Sequence, residues 1–128
     1  YRSRHVMERV ELGKKVTCHC GQSVLSIILE SGLRELRRCD CSLCRRKGYI
    51  NCSVELEELQ IIEGDMLNSY DYKGAKHFFC SICGIHTHHQ RRSNPNQYGV
   101  NVGCIDGVNP SKLGEIIWKD GVNHPKDR

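Results

Sequence analysis

The sequence predicts a mainly β protein with few short helices, on three observations. Short segments with strand-like alternation follow one another along the chain, and turn residues separate them at close intervals. No segment shows a helical pattern of ordinary length. Hydrophobic residues make up 38% of the 128 residues and aromatic residues 6%, while nine residues are cysteine. We therefore expect disulfides or metal to assist apolar burial in holding the chain together.

The predicted elements of the first half are short and lead into and out of cysteine turns. In chain order they are two strands in residues 14–30 joined at Gly21 and Gln22, an extended run in 31–41, one helical turn in 42–48 that ends at Gly48, and two strands in 55–74 that flank the turn Glu63-Gly64-Asp65.

The second half continues the pattern to the end of the chain. Residues 75–84 enter a second cysteine turn, residues 85–92 and 97–106 are predicted strands, and a short helix is predicted in 109–121, begun by Asn109 or Ser111. Residues 122–128 are predicted to be a loose tail. We find no repeat and no internal boundary, so residues 1–128 are predicted to form a single domain.

Seven of the nine cysteines fall into three groups, and two of these groups fit one metal site. Each is a pair of cysteines followed by glycine, Cys18 and Cys20 in one case and Cys80 and Cys83 in the other. The glycine lets the backbone turn through positive φ behind the sulfurs. Structural zinc in proteins takes four ligands in a closed tetrahedron. These four cysteines are therefore predicted to hold a structural zinc ion.

The third group differs because it offers three cysteines, Cys39, Cys41 and Cys44, on one short loop. Three protein ligands and one open position are the arrangement of catalytic zinc. Zinc lowers the pKa of the group that it binds in the open position, including an incoming thiol. The alternatives are pairing by oxidation or a second structural zinc, closed by Cys52, Cys104 or a histidine.

Basic residues surround the three-cysteine loop, in a chain whose formal charge of +4 comes from 19 lysines and arginines against 15 acidic residues. They would offset the charge of a three-thiolate zinc centre and could hold the carboxylates of an anionic substrate; they are Arg37, Arg38, Arg45, Arg46 and Lys47. Binding of two zinc ions by seven thiolates brings the net charge to about +1. Nucleic acid is therefore an unlikely partner, and no aromatic stacking series accompanies the basic residues.

Clustered cysteines are more often metal ligands than disulfides in a reducing compartment, where we expect this protein. The sequence shows no recognisable signal peptide and no apolar run long enough to span a membrane. The expected setting is therefore the cytoplasm or the nucleus.

Four segments, "CHCG", "CDCSLC", "FFCSICG" and "YGVNVGCIDG", occur in the order found in the family of glutathione-dependent formaldehyde-activating enzymes, which includes centromere protein V. The resemblance extends over about residues 15–106. It implies a small zinc-bound antiparallel sheet scaffold, the β-tent. It also implies a structural zinc on the cysteines that match Cys18, Cys20, Cys80 and Cys83, and a second zinc on those that match Cys39, Cys41 and Cys44.

The leading hypothesis is a carbon–sulfur lyase-like enzyme with two zinc ions that acts on glutathione, or a related thiol, and a small aldehyde. The resemblance implies formaldehyde as the aldehyde and S-hydroxymethylglutathione as the product. The alternative is a non-enzymatic zinc scaffold that binds protein, as in the centromere protein V branch. The sequence does not indicate an oligomeric state.

The remaining histidines and cysteines have structural as well as functional interpretations. Strand alternation predicts His86 and His88 on one face and His89 on the other. These side chains either pack in the sheet or serve as acid–base groups near zinc. Cys52 and Cys104 are predicted to be buried core residues rather than ligands.

Overall fold

Ten strands form two sheets in the part of the chain that the structure, a computed structural model, describes, residues 13–30 and 32–123. The strands are β1 Gly13–Thr17, β2 Val24–Ile28, β3 Arg37–Cys39, β4 Asn51–Glu55, β5 Leu59–Glu63, β6 Leu67–Tyr72, β7 Ala75–Cys80, β8 His86–Gln90, β9 Gln97–Asn101 and β10 Ile117–Lys119. The helices are α1 Cys44–Lys47 and short 3₁₀ turns at Leu56–Glu58, Val102–Cys104 and Pro110–Lys112. The prediction of a mainly β fold with few short helices is confirmed.

The smaller sheet has the strand order β1-β2-β5, and the larger has the order β10-β3-β4-β9-β8-β7-β6. All neighbouring strands are antiparallel except β10 and β3, which pair in parallel with Ile117 opposite Arg37. A parallel pair needs a long connection, which the chain between β3 and β10 supplies. The end of the described chain therefore lies beside the strand that leads into the three-cysteine loop.

The hydrophobic core lies where the two sheets meet. Leu25 and Ile27 point inward from β2 and are fully buried, as the alternation of that strand predicts. Val16 of β1 forms an isolated bridge with Ile105, which joins the first sheet to the segment after β9. The buried cluster consists of Val16, Leu25, Ile27, Ile50, Cys52, Val54, Val100, Val102, Cys104 and Ile105. The prediction that Cys52 and Cys104 are core residues is confirmed.

Several predicted turns are also confirmed. The single helical turn ends at Gly48, whose φ of +72° allows its N–H to donate to the carbonyl of Cys44 at 2.9 Å. The β5–β6 connection contains the predicted Gly64, whose carbonyl accepts from the Leu67 N–H at 3.0 Å. Asn109 caps the 3₁₀ turn at Pro110–Lys112 by accepting from the Ser111 N–H at 3.1 Å.

The structure differs from the predicted elements in three places. β4 and β10 were not predicted as strands, and the strand predicted in 97–106 ends at Asn101, where a 3₁₀ turn begins. The Asn101 side chain causes that change, because it accepts from the Gly103 N–H at 3.0 Å and donates to the His86 carbonyl at 2.8 Å. Of the predicted tail, residues 124–128 lie outside the described residues.

No helix in the described ranges has the length and apolar character that crossing a membrane requires.

Candidate metal centres and the adjoining cavity

The two paired cysteine motifs come together at one point between the two sheets. Cys18 and Cys20 lie in the β1–β2 turn, while Cys80 ends β7 and Cys83 follows it. The Cys20 sulfur lies 3.7 Å from the Cys18 sulfur and 3.7 Å from the Cys80 sulfur, and all four sulfurs lie within 4.8 Å of one another. Sulfurs bound tetrahedrally at about 2.3 Å from a zinc ion lie roughly 3.8 Å apart. The four-thiol group could therefore hold one metal ion.

The backbone around this group has the form that the glycines predict. Gly21 and Gly84 adopt φ values of +81° and +77°, which L side chains rarely adopt. The Ser23 N–H donates to the Cys18 sulfur at 3.3 Å. The Gly84 N–H donates to the Cys80 carbonyl at 2.7 Å and closes the turn between the second pair. Both turns thus aim their sulfurs at a common centre.

The second group contains three sulfurs, those of Cys39, Cys41 and Cys44, within 4.8 Å of one another. In the described residues, no fourth cysteine, histidine or carboxylate atom joins this group at that distance. The Cys44 N–H donates to the Cys41 sulfur at 3.3 Å. A hydrogen bond from the Cys44 thiol lowers the pKa of Cys39 to about 6, which favours a thiolate in the loop. The three-thiol group could hold a second metal ion and leave it one open position.

A segment from the end of the described chain covers this loop. One Asp40 carboxylate oxygen accepts from the N–H groups of Gly121 at 2.7 Å and Val122 at 3.3 Å. The Asp40 N–H in turn donates to the Lys119 carbonyl at 3.2 Å. Sequence reasoning missed this segment. Its only sequence signal is the Asp-Gly turn pair at 120–121, which does not indicate a contact with a loop eighty residues earlier.

Gly121 is the point of closest contact, and its replacement by alanine is expected to disturb the three-thiol group. An added Cβ would collide with the Cys39 sulfur and would lie 2.9 Å from the Cys41 backbone nitrogen. Because backbone cannot yield cheaply, we expect Gly121→Ala to lower metal affinity at this group by about tenfold or more. Competition with a chromophoric chelator measures the affinity. The matched control is Val122→Ala, since Val122 is 64% exposed; equal affinities in both variants would contradict the prediction.

The three thiols form part of the wall of a cavity of about 330 Å³. The cavity is open at one side and mixes charged, polar and aromatic side chains. Besides the thiols, its lining residues are Arg37, Asn51, Tyr72, His77, His89, Gln90, Arg91, Arg92, Ser93, Lys119, Asp120 and Gly121. A cavity of this size can take a small organic molecule.

The basic residues that line the cavity are mostly not the five that the sequence predicted around the three-cysteine loop. Of the five predicted basic residues, only Arg37 lines the cavity. Arg38 stacks on the Trp118 ring at 5.6 Å, and Arg46 donates to the backbone and side-chain oxygens of Ser42. The other positive charges in the lining are Arg91, Arg92 and Lys119, which distant strands contribute.

Arg37 is an unusual member of the lining because its guanidinium is buried. Its Nη1 donates to the Glu35 carbonyl at 2.7 Å and to the Ser53 hydroxyl at 2.9 Å. Its Nη2 has no hydrogen-bond partner among the described residues, and neither does Oδ1 of Asn51, the residue directly opposite in β4. Burial lowers the pKa of Arg37 to about 10, so it remains charged at neutral pH. Two buried polar atoms next to the cavity, one donor and one acceptor, thus lack a hydrogen-bond partner among the described residues.

The three histidines of β8 are arranged differently from the prediction. The pairing of β7 and β8 shifts register between Phe78 and Phe79, which leaves Thr87 as an extra residue. His89 stacks on His77 with ring centres 4.8 Å apart, and His86 lies against Phe79 at 5.3 Å. His77 and Phe79 share one face of β7, since they are two residues apart.

His88 instead stacks on Phe78, on the opposite face, with ring centres 4.5 Å apart. His86 and His89 therefore share a face and His88 does not. The prediction that paired His86 with His88 was wrong because the β-bulge adds one residue to the alternation. Only His89 of the three lines the cavity.

Comparisons with known proteins relate the chain to a family and to a solved structure. The model of the family described as "Glutathione-dependent formaldehyde-activating enzyme" matches residues 14–120. The chain is also similar to a solved crystal structure of a Rhodobacter sphaeroides protein, with 50% sequence identity and a TM-score of 0.78. That match covers 82% of this chain and 99% of the other. On the family match, which spans most of the chain, the chain belongs to the glutathione-dependent formaldehyde-activating enzyme family.

Proposed function

We propose that the protein is a zinc-dependent enzyme that joins glutathione to formaldehyde through a new carbon–sulfur bond. The observation that supports this most directly is the group of three thiols, Cys39, Cys41 and Cys44, at the wall of a cavity with positive charges. When bound there, zinc would favour the thiolate form of a thiol in its open position. Cys18, Cys20, Cys80 and Cys83 would hold a second zinc with a structural role, which makes two zinc ions per chain.

The side chains of the cavity suit a thiol that carries carboxylates. Arg91 is held in place by a hydrogen bond to Gln97 at 2.6 Å and by an ion pair with Glu35 at 3.6 Å. Arg92 and Lys119 add two further positive charges to the lining. A charged peptide bound by these groups would present its sulfur toward the three thiols. Orientation of this kind converts a reaction between two free molecules into one between neighbours.

The reaction itself needs little chemistry from the protein. The sulfur lone pair forms a bond to the aldehyde carbon, and the carbonyl π electrons move to the oxygen, which takes up a proton to give the hydroxymethyl product. The protein must hold the sulfur as a thiolate, bind the oxygen as negative charge develops on it, and limit water. All nine cysteines are free thiols in the structure, which fits a reducing compartment such as the cytoplasm.

Arg92 provides a test of the carboxylate subsite. Replacing Arg92 by glutamine is expected to raise KM for glutathione about tenfold and to change kcat less, because a charge-assisted hydrogen bond is lost in the ground state and the transition state alike. Steady-state kinetics with glutathione and with its diethyl ester measure the effect. The ester should show no increase. Lys112→Gln, an exposed change on a 3₁₀ turn, is the control; equal KM increases for acid and ester would contradict the subsite.

The proposed function is tested with the purified zinc-loaded protein and ¹³C-labelled formaldehyde. We expect native mass spectrometry to show two zinc ions and a glutathione adduct. We also expect NMR to show S-hydroxymethylglutathione forming faster than in the uncatalysed mixture. A protein that holds both zinc ions and gives no acceleration would refute the activity, and it would support the scaffold alternative.

A further inference from the structure

Lys47 lies at the centre of a hydrogen-bonded network behind the cavity wall. It ends helix α1, three residues after Cys44. Its ammonium contacts Nδ1 of His77 at 2.7 Å and the hydroxyl of Tyr49 at 2.9 Å. Burial lowers the pKa of Lys47 to about 8, while the nearby thiols raise it, so the side chain is mainly charged at neutral pH. An ammonium group can only donate hydrogen bonds. Nδ1 of His77 must therefore accept, and it carries no proton.

The same argument extends through Tyr49 to His89. The Tyr49 hydroxyl accepts from Lys47 and has one proton of its own to donate. Its second partner is Nδ1 of His89, at 3.2 Å. Nδ1 of His89 therefore also accepts, which leaves it without a proton. One lysine thus determines the protonation pattern of two imidazoles, one directly and one through a tyrosine.

Both imidazoles are neutral, so each must carry its single proton on Nε2. His77 is 3% exposed and His89 is 9% exposed. Burial and the Lys47 charge lower the pKa of His77 to about 3, and burial with the same charge holds the pKa of His89 well below its usual value. Their rings are parallel within 10° and stack at 4.8 Å. Both residues line the cavity together with the three thiols.

We propose that the Nε2–H groups of His77 and His89 bind the carbonyl oxygen of the aldehyde, and that Lys47 is the positioning residue that fixes both imidazoles in this form. The inference rests on the proposed function. In the step it assists, the sulfur lone pair forms the carbon–sulfur bond and the carbonyl π electrons move to the oxygen held by the imidazoles. The proton lost when the thiol became a thiolate returns to that oxygen from solvent, so the step needs no further reactant.

Arg37 and His89 both pack closely against Gly99, which limits the space at this end of the subsite. A Cβ at Gly99 would lie 2.8 Å from Nε2 of His89 and 3.1 Å from Nη2 of Arg37. Both side chains therefore pack against the Gly99 backbone, and Arg37 places a permanent charge next to the imidazole. A fixed positive charge of this kind, beside preorganised donors, stabilises negative charge on oxygen as it develops in the transition state. A small aldehyde is the class of electrophile that this arrangement suits.

The first test is spectroscopic and does not depend on activity. In the zinc-loaded protein with ¹⁵N-labelled histidine, long-range ¹H–¹⁵N spectra distinguish imidazoles protonated at Nε2 from those protonated at Nδ1. We expect Nε2–H for His77 and His89 in the wild type, a mixture at both in Lys47→Met, and a mixture at His89 alone in Tyr49→Phe. Lys76→Met, an exposed change beside His77, should match the wild type. Nδ1–H in the wild type, or unchanged spectra in both network variants, would overturn the inference.

The second test is kinetic. Lys47→Met is expected to lower kcat by about tenfold to a hundredfold and to leave KM for glutathione within about twofold, because the oxygen contacts strengthen only in the transition state. A rise in KM without a fall in kcat would contradict the oxygen subsite. A wild-type protein with no aldehyde addition would refute the proposed function and this subsite but leave the spectroscopic result standing. Active wild-type protein with Nδ1–H histidines would refute this inference alone.

Discussion

Replacing Cys80 by serine is expected to unfold the protein. Cys80 is fully buried and belongs to β7 of the larger sheet, while its neighbour at 3.7 Å, Cys20, lies in the β1–β2 turn of the smaller sheet. A structural zinc contributes about 10–16 kcal/mol in small zinc-dependent domains, which is as large as the whole stability of an ordinary domain, about 5–15 kcal/mol. Loss of one ligand should therefore separate the two sheets. Circular dichroism and native mass spectrometry measure the folded fraction and the bound metal.

Cys52 supplies the matched control for this change. It is also fully buried, but it lies in the apolar core and in neither thiol group. Cys52→Ala removes one buried sulfur, so we expect a loss of about 1–3 kcal/mol with both metal ions retained. A Cys80→Ser protein that keeps a cooperative thermal transition and two metal ions would contradict the structural role of the four-thiol group.

The grouping of the cysteines was predictable because it depends on local spacing. Two cysteines separated by one or two residues and followed by glycine leave the backbone few ways to turn, and Gly21 and Gly84 take the predicted positive φ. A tetrahedral ion would take four sulfurs, which predicts that the two pairs come together. The structure brings together the same two groups that the spacing predicted.

The cavity could not be predicted in the same way because its charges come from distant parts of the chain. Arg45 and Arg46 are adjacent to the third cysteine of the loop, yet the helical turn directs them outward, where both are exposed. Arg91 follows β8, and Lys119 ends β10. Only the sheet order, which places β10 beside β3, brings Lys119 to the loop. Strand pairing of this kind leaves no local mark in the sequence.

Two unpredicted features lie in strands that lack the regular alternation of buried and exposed residues. β4 shows no alternation, since Asn51, Cys52, Ser53 and Val54 are all buried. A central strand covered on both faces does not show the period of two that marks a half-exposed strand. The bulge at Thr87 likewise adds one residue and reverses the expected faces of the β8 histidines. Sequence periodicity predicts which side of a strand is buried only when one side is solvent-exposed and the register is regular.

The two thiol groups lie in different parts of the fold, so their effects should be separable. The four-thiol group joins the two sheets, whereas the three-thiol group lies at the end of β3 and the start of α1. β3 is held in its sheet by pairing with β4, which in turn pairs with β9. The bridge between Val16 and Ile105 is a further link that does not involve the three-thiol group. Removal of a sulfur from the three-thiol loop should therefore leave the fold intact.

Replacing Cys41 by serine is accordingly expected to abolish aldehyde addition while the protein stays folded. Cys41 is 8% exposed and its sulfur accepts from the Cys44 N–H at 3.3 Å, a bond that a serine oxygen can approximate. Loss of one of three thiolate ligands should cost the second metal ion and reduce the catalysed rate by at least about a hundredfold, more than a change outside the ligand shell does. Native mass spectrometry should then show one zinc ion instead of two.

The neighbouring Ser42 distinguishes loss of a ligand from general disturbance of the loop. Its hydroxyl accepts from Arg46 at 3.1 Å, on the exposed side, so Ser42→Ala should change the rate by less than about twofold. A Cys41→Ser enzyme that works at the wild-type rate would show that the three-thiol group is not the reactive centre. A Cys41→Ser protein that unfolds would show instead that the second metal ion is structural. The expected combination of a folded protein, one metal ion and no catalysis is the one that assigns the chemistry to this loop.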